Sequence, residues 1–164
     1  MKDVSRKLRI ESASKRQFLT LSFLQFRFFW ESENGSAVIF GRNPRWLMPL
    51  IAIPYTLGWA IYNRGSVGYF VKLEEKIVGE FTLSIKHESL FISSLGVSPE
   101  HRRLGIGLFI LTEVEKLCRS MKMEWLELSV LKGNMPARRL YERFGFTVEA
   151  ERKWSFILRK RIQT

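Results

Sequence analysis

The sequence predicts an α+β fold with a mixed α/β sheet: a central twisted sheet that contains a βαβ unit and carries helices on both faces. Two observations predict it. Segments rich in β-branched and aromatic residues alternate with amphipathic helical segments from residue 66 onward, and a strand–helix–strand succession covers residues 89–131. A length of 164 residues suits one domain, and we expect residues 1–164 to form it.

The first part of the chain, residues 1–65, is predicted to be helical. Apolar residues recur at helical spacing through residues 14–32, although the aromatic content of this stretch leaves a strand open as the alternative. Residues 33–44 are rich in turn-forming residues, which indicates a break between two elements.

The segment 46–62 is apolar enough to suggest a membrane and is close to the minimum length of a span. Pro49 and Pro54 interrupt the hydrogen-bond ladder that a lipid-exposed helix must close internally. We therefore expect a bent helical hairpin that packs on the core or lines an apolar pocket. Peripheral membrane contact through residues 42–64, which include flanking arginines, stays open.

A β-hairpin begins the regular alternation of strands and helices. Residues 67–74 and 77–85 are rich in β-branched and aromatic residues and flank Glu75 and Lys76. A third strand is predicted over residues 89–97. An amphipathic helix over residues 106–121 follows, since apolar residues recur there every three or four positions: Gly107, Ile110, Leu111, Val114, Leu117, Cys118 and Met121.

A βαβ unit closes at residues 125–131, which alternate as a strand. We expect this strand to lie parallel to residues 89–97, with a right-handed crossover. Asn134 indicates the start of a short helix because its side chain can cap the first turn, and Gly145 indicates the end of that helix. The chain is predicted to finish with two more strands, residues 146–151 and 153–162.

The chain is strongly basic, with a net charge of +11 that is spread along the sequence. Such a surface favours anionic partners, whether nucleic acid, acidic lipid, acidic peptides or a polyphosphate cofactor, although charge that serves only solubility is an equal alternative. The single cysteine, Cys118, lies on an apolar helical stripe and is expected in the core. One cysteine excludes a disulfide framework and favours a reducing, cytoplasmic location.

Residues 98–109, SPEHRRLGIGLF, place two arginines against a glycine-rich turn that opens a helix. Such turns bind phosphate groups, because free N–H groups and the helix dipole point at the anion. A dinucleotide-binding fingerprint is excluded because Ile110 stands where its third glycine belongs. A Walker loop is excluded because Gly107 is followed by Leu108 rather than by lysine.

A third phosphate-binding pattern fits. Residues 102–107 match Arg/Gln-x-x-Gly-x-Gly/Ala and resemble the pyrophosphate loop of the GNAT acetyltransferase superfamily. Residues 134–146, NMPARRLYERFGF, resemble a later segment of that family, Asn-x-x-Ala-x-x-x-Tyr-x-x-x-Gly-Phe. The resemblance covers roughly residues 66–161, which would form the cofactor-binding core, and leaves residues 14–65 unmatched.

The resemblance implies an N-acetyltransferase that binds acetyl-CoA as its co-substrate. The arm of the cofactor would lie in a wedge between the two parallel strands, splayed by a bulge, and pair with backbone near Leu95 and Val97. Arg102 and Arg103 would add charge-assisted hydrogen bonds to the diphosphate. The diphosphate would rest on the backbone N–H groups of Leu104, Gly105, Ile106, Gly107 and Leu108.

The catalytic groups follow in part from the same resemblance. Tyr141 would be the general acid that protonates the departing thiolate, and Asn134, two turns earlier on the same helix face, would both cap the helix and contact the cofactor arm. Glu80 shares a strand face with Thr82 and is our candidate for the base. Two rivals for that role precede the third strand, His87 and Glu88. We predict no metal, because none of these groups has partners at ligand spacing.

The acceptor would be a primary amine that attacks the thioester directly: a peptide N-terminus, a lysine or a small amine. Residues 1–65 would form the acceptor side, and the aromatic residues 18–30 and the segment 46–62 suggest an apolar cleft. The basic surface argues against polyamines. No nucleic acid partner is expected, but a basic nucleic-acid-binding module or a peripheral membrane module without catalysis stays as the alternative function. The sequence does not predict an oligomeric state.

Overall fold

A seven-stranded mixed sheet with strand order β1-β2-β3-β4-β5-β7-β6 organises the protein. The computed structural model describes residues 7–30, 52–54, 57–58 and 65–162, apart from five side chains within 15–30. The strands are β1 (Leu8–Ser12), β2 (Val67–Leu73), β3 (Lys76–Lys86), β4 (Ser89–Val97), β5 (Trp125–Leu131), β6 (Thr147–Glu151) and β7 (Ser155–Arg161). The helices are α1 (Phe18–Trp30), α2 (Ile106–Ser120) and α3 (Met135–Arg143).

The strands from residue 66 onward confirm the sequence predictions. β2 and β3 form the predicted hairpin, with its turn at Glu74 and Glu75, one residue earlier than expected. Glu74 adopts a φ of +57°, a left-handed conformation that suits a tight turn. β4 and β5 pair in parallel on either side of the α2 connection, as the βαβ pattern predicts.

Strand β1 is an error of the sequence prediction, which made residues 1–65 helical. Residues 8–12 pair antiparallel with β2 and form one edge of the sheet. Only Leu8 and Ile10 supply the alternating apolar pattern, and the residues around them are charged or polar. Lys72 Nζ and Glu11 Oε2 lie 2.7 Å apart, so opposite charges on neighbouring strands neutralise each other at this edge.

Helices cover both faces of the sheet. A Cβ at Gly79 would meet Ile110 Cδ1 of α2 at 3.6 Å, whereas a Cβ at Gly68 would collide with Leu21 of α1. Gly68 lies opposite Thr82, so these two contacts are on opposite faces of the sheet. Helix α1 also confirms the helix predicted within residues 14–32. Helix α2 buries the central part of the expected stripe, Ile110, Leu111, Val114 and Cys118, together with Ile106, whereas Met121 at the end of the predicted helix is exposed.

The two parallel strands separate halfway along their length. β4 and β5 pair only over residues 89–92 and 125–128. Beyond that point β4 continues along β3, and β5 continues along β7. The register between β3 and β4 shifts at Ser93, an extra residue on β4, which makes it a β-bulge. The bulge bends β4 away from β5 and leaves a wedge between the strands.

The apolar segment 46–62 and the proposed membrane contact at 42–64 fall almost wholly outside the described residues. The predictions about them therefore stay predictions. Within the ranges that the structure describes, no helix is long and apolar enough to cross a membrane.

Candidate active site

The wedge between β4 and β5 exposes backbone hydrogen-bonding groups of β4. Ser98 N donates to Val78 O at 2.9 Å. Backbone groups alternate in direction along an antiparallel strand. Gly96, like Ser98, therefore faces β3, whereas the N–H and C=O groups of Leu95 and Val97 point into the wedge. An extended amide chain could pair with them as an added strand would.

The loop that follows β4 has the backbone shape of an anion site. Arg103 and Gly105 have φ values of +61° and +82°. Alternation of left-handed and right-handed residues turns successive N–H groups toward one point. Gly105 is the N-cap of α2 and makes no side-chain capping hydrogen bond. Gly105 thus places no side chain of its own over the N–H groups of the first turn of α2, and free N–H groups at a helix start are the arrangement that binds phosphate.

The two glycines of the loop serve different purposes. A Cβ at Gly105 would meet no atom within 4 Å, so the space above this residue is open. A Cβ at Gly107 would lie 2.9 Å from Leu140 Cδ2. Gly107 therefore lets α3 pack close to the start of α2, a role that the sequence prediction did not assign to it.

The two arginines of the loop also differ. Arg102 Nε donates to Val97 O at 3.2 Å, which holds its guanidinium at the mouth of the wedge. Arg103 is exposed. The predicted hydrogen bonds from both arginines to a diphosphate remain a prediction, but the loop brings both cations to the anion site.

Helix α3 places Asn134 and Tyr141 on one face, two turns apart. Asn134 Oδ1 accepts from Ala137 N at 3.3 Å, which confirms the predicted cap. Tyr141 is buried and packs edge-on against Phe146, with ring centroids 5.9 Å apart. The contact of Asn134 with the cofactor arm and the acid role of Tyr141 stay predictions.

Glu80 is a fully buried carboxyl group. Its Oε2 accepts a hydrogen bond from Ser94 Oγ at 2.9 Å, and its Oε1 has no partner. Burial raises the pKa of Glu80 to about 8, against the smaller opposing effect of the Ser94 hydrogen bond. A carboxyl that titrates near neutral pH can both accept and release a proton under physiological conditions.

Glu80 and Tyr141 influence each other electrostatically. Burial raises the pKa of Tyr141 well above its ordinary value, and the negative charge of Glu80 raises it further. The phenol therefore stays protonated while Glu80 titrates. Near neutral pH Glu80 can therefore exchange a proton, whereas Tyr141 keeps its own, and their roles as base and acid stay predictions.

The rival candidates for the base lie elsewhere. His87 and Glu88 are exposed and form the turn between β3 and β4. This turn is at the end of β4 where the strand is still paired with β5, away from the open wedge. The structure does not bring either residue to Glu80 or to the loop.

Three polar residues that contribute buried oxygen atoms, two of them close to Glu80 on β3 and β4, were not identified as functional from the sequence. Ser94 holds the carboxyl, and two further buried oxygens, Thr82 Oγ1 and Gln25 Oε1, have no hydrogen-bond partner. The shared strand face of Glu80 and Thr82 was visible as a period of two. Gln25 stood out only as a polar residue inside an aromatic helix, and nothing in the pattern connected it to β3. Among the described residues no three potential ligands cluster as a metal site would require.

The comparisons with known proteins identify a family. A sequence profile of the acetyltransferase (GNAT) family matches residues 25–146. No curated protein matches the sequence.

Solved structures share the fold at low sequence identity. The PaiA N-acetyltransferase from Thermoplasma acidophilum, solved in complex with coenzyme A, is 19% identical with a TM-score of 0.73, covering 94% of this chain and 98% of that one. The ribosomal-protein-S18-alanine N-acetyltransferase from Escherichia coli is 14% identical with a TM-score of 0.67, covering 96% and 95%. Ard1 from Thermoplasma volcanium is 17% identical with a TM-score of 0.66, covering 96% and 99%.

Proposed function

The chain belongs to the GNAT family of acetyltransferases, and we propose that it transfers an acetyl group from acetyl-CoA to a primary amine, with Glu80 as base and Tyr141 as acid. The family makes it an acetyl-CoA-dependent N-acyltransferase. The residues that carry the reaction and the nature of the acceptor are our proposal. The observation that carries it is a fully buried carboxyl, Glu80, on the strand that pairs with the open part of β4, with the buried phenol of Tyr141 near enough for the charge of Glu80 to act on it.

The cofactor site fits the residues that are present. The wedge offers the backbone groups of Leu95 and Val97 to the amide arm. The loop with its left-handed residues and the uncapped start of α2 offers N–H groups to the diphosphate. Arg102 would exchange its bond to Val97 O for the anion when the cofactor arm enters. Acetyl-CoA supplies the activated acyl group as a thioester.

Glu80 would begin the reaction by taking a proton from the acceptor ammonium. Desolvation raises the pKa of Glu80 to about 8, and the same desolvation lowers the pKa of an amine that enters the site. The two values approach each other, so the proton can move at low cost. The free amine then forms a bond to the acyl carbon.

Tyr141 would complete the reaction by donating its proton to the sulfur as the carbon–sulfur bond breaks. Its raised pKa makes it a weaker acid in water, but the departing thiolate is also desolvated, which raises the pKa of that thiol in the same direction. The nitrogen loses its second proton as the intermediate collapses. That proton restores the Tyr141 phenol, and Glu80 releases the first proton to solvent. Overall an ammonium and a thioester give an amide, a free thiol and one proton.

The test combines cofactor binding with turnover. Acetyl-CoA at about 100 times its Kd is expected to raise the free energy of unfolding by about 2.7 kcal/mol, measured as a higher Tm. Thiol release with a panel of peptide and small-amine acceptors then identifies turnover. Glu80→Gln is expected to keep the Tm gain and lose most of the thiol release. An enzyme that turns over normally without the Glu80 carboxylate contradicts the proposed role.

A further inference from the structure

Three buried oxygen atoms without hydrogen-bond partners belong to residues on or against one face of the sheet. They are Glu80 Oε1, Thr82 Oγ1 and Gln25 Oε1. Glu80 and Thr82 are fully buried neighbours on the same face of β3. A buried polar atom without a partner is costly and rare in a native protein. Two such atoms side by side on β3, and a third on the helix that packs on the same face, point to a ligand that supplies the missing donors.

The position of Gln25 follows from contacts at both ends of α1. Leu21, one turn before Gln25, packs on Gly68, which lies opposite Thr82. The charge of Arg27, near the end of α1, acts on Glu100, just beyond β4. Helix α1 therefore runs along the sheet from the level of Thr82 toward the end of β4.

The spacing along α1 brings Gln25 to the level of Glu80. Four helical residues advance about 6 Å from Leu21 to Gln25. Two strand residues advance about 6.7 Å from Thr82 to Glu80. Glu80 itself lies opposite Gly96, between the two ends of the path that α1 follows. Gln25 thus lies over the part of the sheet that carries the carboxyl.

The hydrogen-bonding capacities of the three oxygen atoms indicate which chemical group would bind there. Ser94 Oγ already donates a hydrogen bond to Glu80 Oε2, so Oε1 is the carboxyl oxygen that remains for a ligand. A carboxylate oxygen and an amide oxygen only accept hydrogen bonds, and the Thr82 hydroxyl can accept one. A primary ammonium group has three N–H donors and no acceptor, which matches the set one for one. An alcohol brings one donor, and an N-methylated ammonium brings two.

We propose that Glu80, Thr82 and Gln25 form a three-oxygen cradle for the ammonium group of the acceptor, and that Thr82 and Gln25 make the enzyme select primary amines over N-methylated ones. The inference rests on the proposed function, in which Glu80 takes the proton of this same ammonium. The cradle contains one carboxylate, which suits a single positive charge. The net charge of +11 adds repulsion against polycations, which favours an acceptor with a single positive charge.

The preference for primary amines follows from the cradle oxygen that an N-methylated amine leaves without a hydrogen-bond donor. A bound N-methylated amine leaves one of the three oxygens unpaired in a buried site, which costs about tenfold or more in kcat/KM relative to the primary amine. Replacing Thr82 or Gln25 by an apolar residue of similar shape removes one oxygen. The preference for the primary amine should then shrink by a similar factor, because both substrates satisfy the two oxygens that remain.

The experiment measures kcat/KM for matched pairs of amines by release of free thiol from acetyl-CoA. The pairs are butylamine with N-methylbutylamine, and alaninamide with N-methylalaninamide. They are assayed with the wild-type chain, Thr82→Val, Gln25→Met and Glu80→Gln. Thr147→Val is the matched control, because Thr147 is exposed on β6, at the far edge of the sheet. The Tm of each variant is measured without ligand.

The expected result has two parts. Thr82→Val and Gln25→Met lose most of the preference for the primary amine, and neither lowers the Tm, since each removes an atom that has no partner in the free protein. Thr147→Val leaves the preference unchanged. Thr82→Ser, which keeps the hydroxyl, retains the preference.

Three outcomes would overturn the inference in different ways. If Glu80→Gln abolishes turnover but the preference survives in both Thr82→Val and Gln25→Met, the cradle is wrong and the proposed function stands. If no primary amine releases thiol, or Glu80→Gln turns over normally, the proposed function fails and the cradle fails with it. A lower Tm in Thr82→Val and Gln25→Met with an unchanged preference assigns these oxygens to structure alone.

Discussion

Glu80 is the proposed base, and its properties come from its position in the fold rather than from its residue type. A glutamate on a strand is ordinarily solvated, but this one lies under α1 with a single hydrogen bond from Ser94. Burial without a compensating cation favours the neutral form of the carboxyl. Burial raises the pKa of this carboxyl and also costs stability, so the free energy of unfolding should depend on pH.

The stability of the protein should fall as the pH rises from about 4.5 to about 8. The pKa of Glu80 is raised in the native state, so over this window the folded chain keeps a proton that the unfolded chain has released. The free energy of unfolding should therefore decrease with pH, by up to about 5 kcal/mol from this one residue. Urea unfolding at several pH values measures the slope.

Two variants isolate the contribution of Glu80 to that slope. Glu80→Gln removes the titrating group, so the slope over this window should largely disappear and the variant should be the more stable protein above pH 8. Glu88→Gln, an exposed carboxyl in the turn between β3 and β4, should leave the slope in place. An unaltered slope in Glu80→Gln would show that other groups produce it.

Tyr141→Phe should lower kcat about 100-fold and leave the Kd of acetyl-CoA within about twofold. The phenol is proposed to act only when the carbon–sulfur bond breaks, so its hydroxyl contributes to the transition state and not to cofactor binding. Single-turnover thiol release gives kcat, and calorimetry gives Kd. Tyr69→Phe is the matched control, because Tyr69 stacks on Phe81 on the face of the sheet opposite to Glu80, with ring centroids 4.7 Å apart. Equal kcat values for Tyr141→Phe and the wild-type chain would remove Tyr141 from the mechanism.

At the scale of elements, the bulge at Ser93 opens the wedge between β4 and β5 that the cofactor arm is proposed to enter. Without the extra residue, β4 and β5 would pair along their whole length, and the backbone groups of Leu95 and Val97 would be used inside the sheet. The bulge frees them at the point where Glu80 approaches from β3. The loop at residues 98–105 and the start of α2 lie at the same end of the strands, so the wedge and the anion site are continuous.

The anion site can be tested with a charge at Gly105. Asp and Asn have almost the same shape, and both tolerate the left-handed conformation that Gly105 adopts at φ +82°. The space above Gly105 is open, so either side chain fits. Gly105→Asp should weaken acetyl-CoA binding at least tenfold relative to Gly105→Asn, because a carboxylate repels the diphosphate. The Tm gain on adding acetyl-CoA measures the difference. Equal gains in the two variants would place the diphosphate elsewhere.

The elements that the sequence predicted are those with a long and regular pattern. Helix α2 has apolar residues at every expected position, and Asn134 and Gly145 delimit α3 by local backbone chemistry alone. Strand β1 was missed because its edge position needs only two apolar side chains, Leu8 and Ile10. Short edge strands carry little hydrophobic pattern, so tertiary pairing decides their structure.

The site was predictable only where one segment carries it. The glycine loop and Tyr141 could be recognised because each lies inside a contiguous motif. The environment of Glu80 could not, since Ser94 reaches it across a strand pair whose register is shifted by Ser93. Gln25 comes from a helix more than 50 positions earlier in the chain. Whether these side chains are buried, and whether they find hydrogen-bond partners, is decided by the assembled fold and not by any local sequence pattern.

At the scale of the whole molecule, the net charge of +11 is an electrostatic property of the entire surface. Basic side chains are found at both ends of the sheet. Lys153 lies in the turn between β6 and β7, at the same end as the loop that follows β4, because Ser155 pairs with Leu131 at the end of β5. Lys122 lies at the opposite end, between α2 and β5. A polyanionic cofactor is attracted by all of these charges, and most strongly by those near its site.

The association of acetyl-CoA should therefore depend on salt and on the location of the charge removed. Raising the ionic strength from about 0.01 M to 1 M shortens the screening length from about 30 Å to about 3 Å, so kcat/KM for acetyl-CoA should fall about tenfold or more while kcat changes little. At low salt, Lys153→Gln should lower kcat/KM more than Lys122→Asn, in which asparagine suits the left-handed backbone at φ +55°. The difference between the variants should vanish at high salt. Stopped-flow association at several salt concentrations measures all three effects. If both variants associate as fast as the wild-type chain at low salt, and the rate is independent of salt, the basic surface serves solubility and does not guide the cofactor to its site.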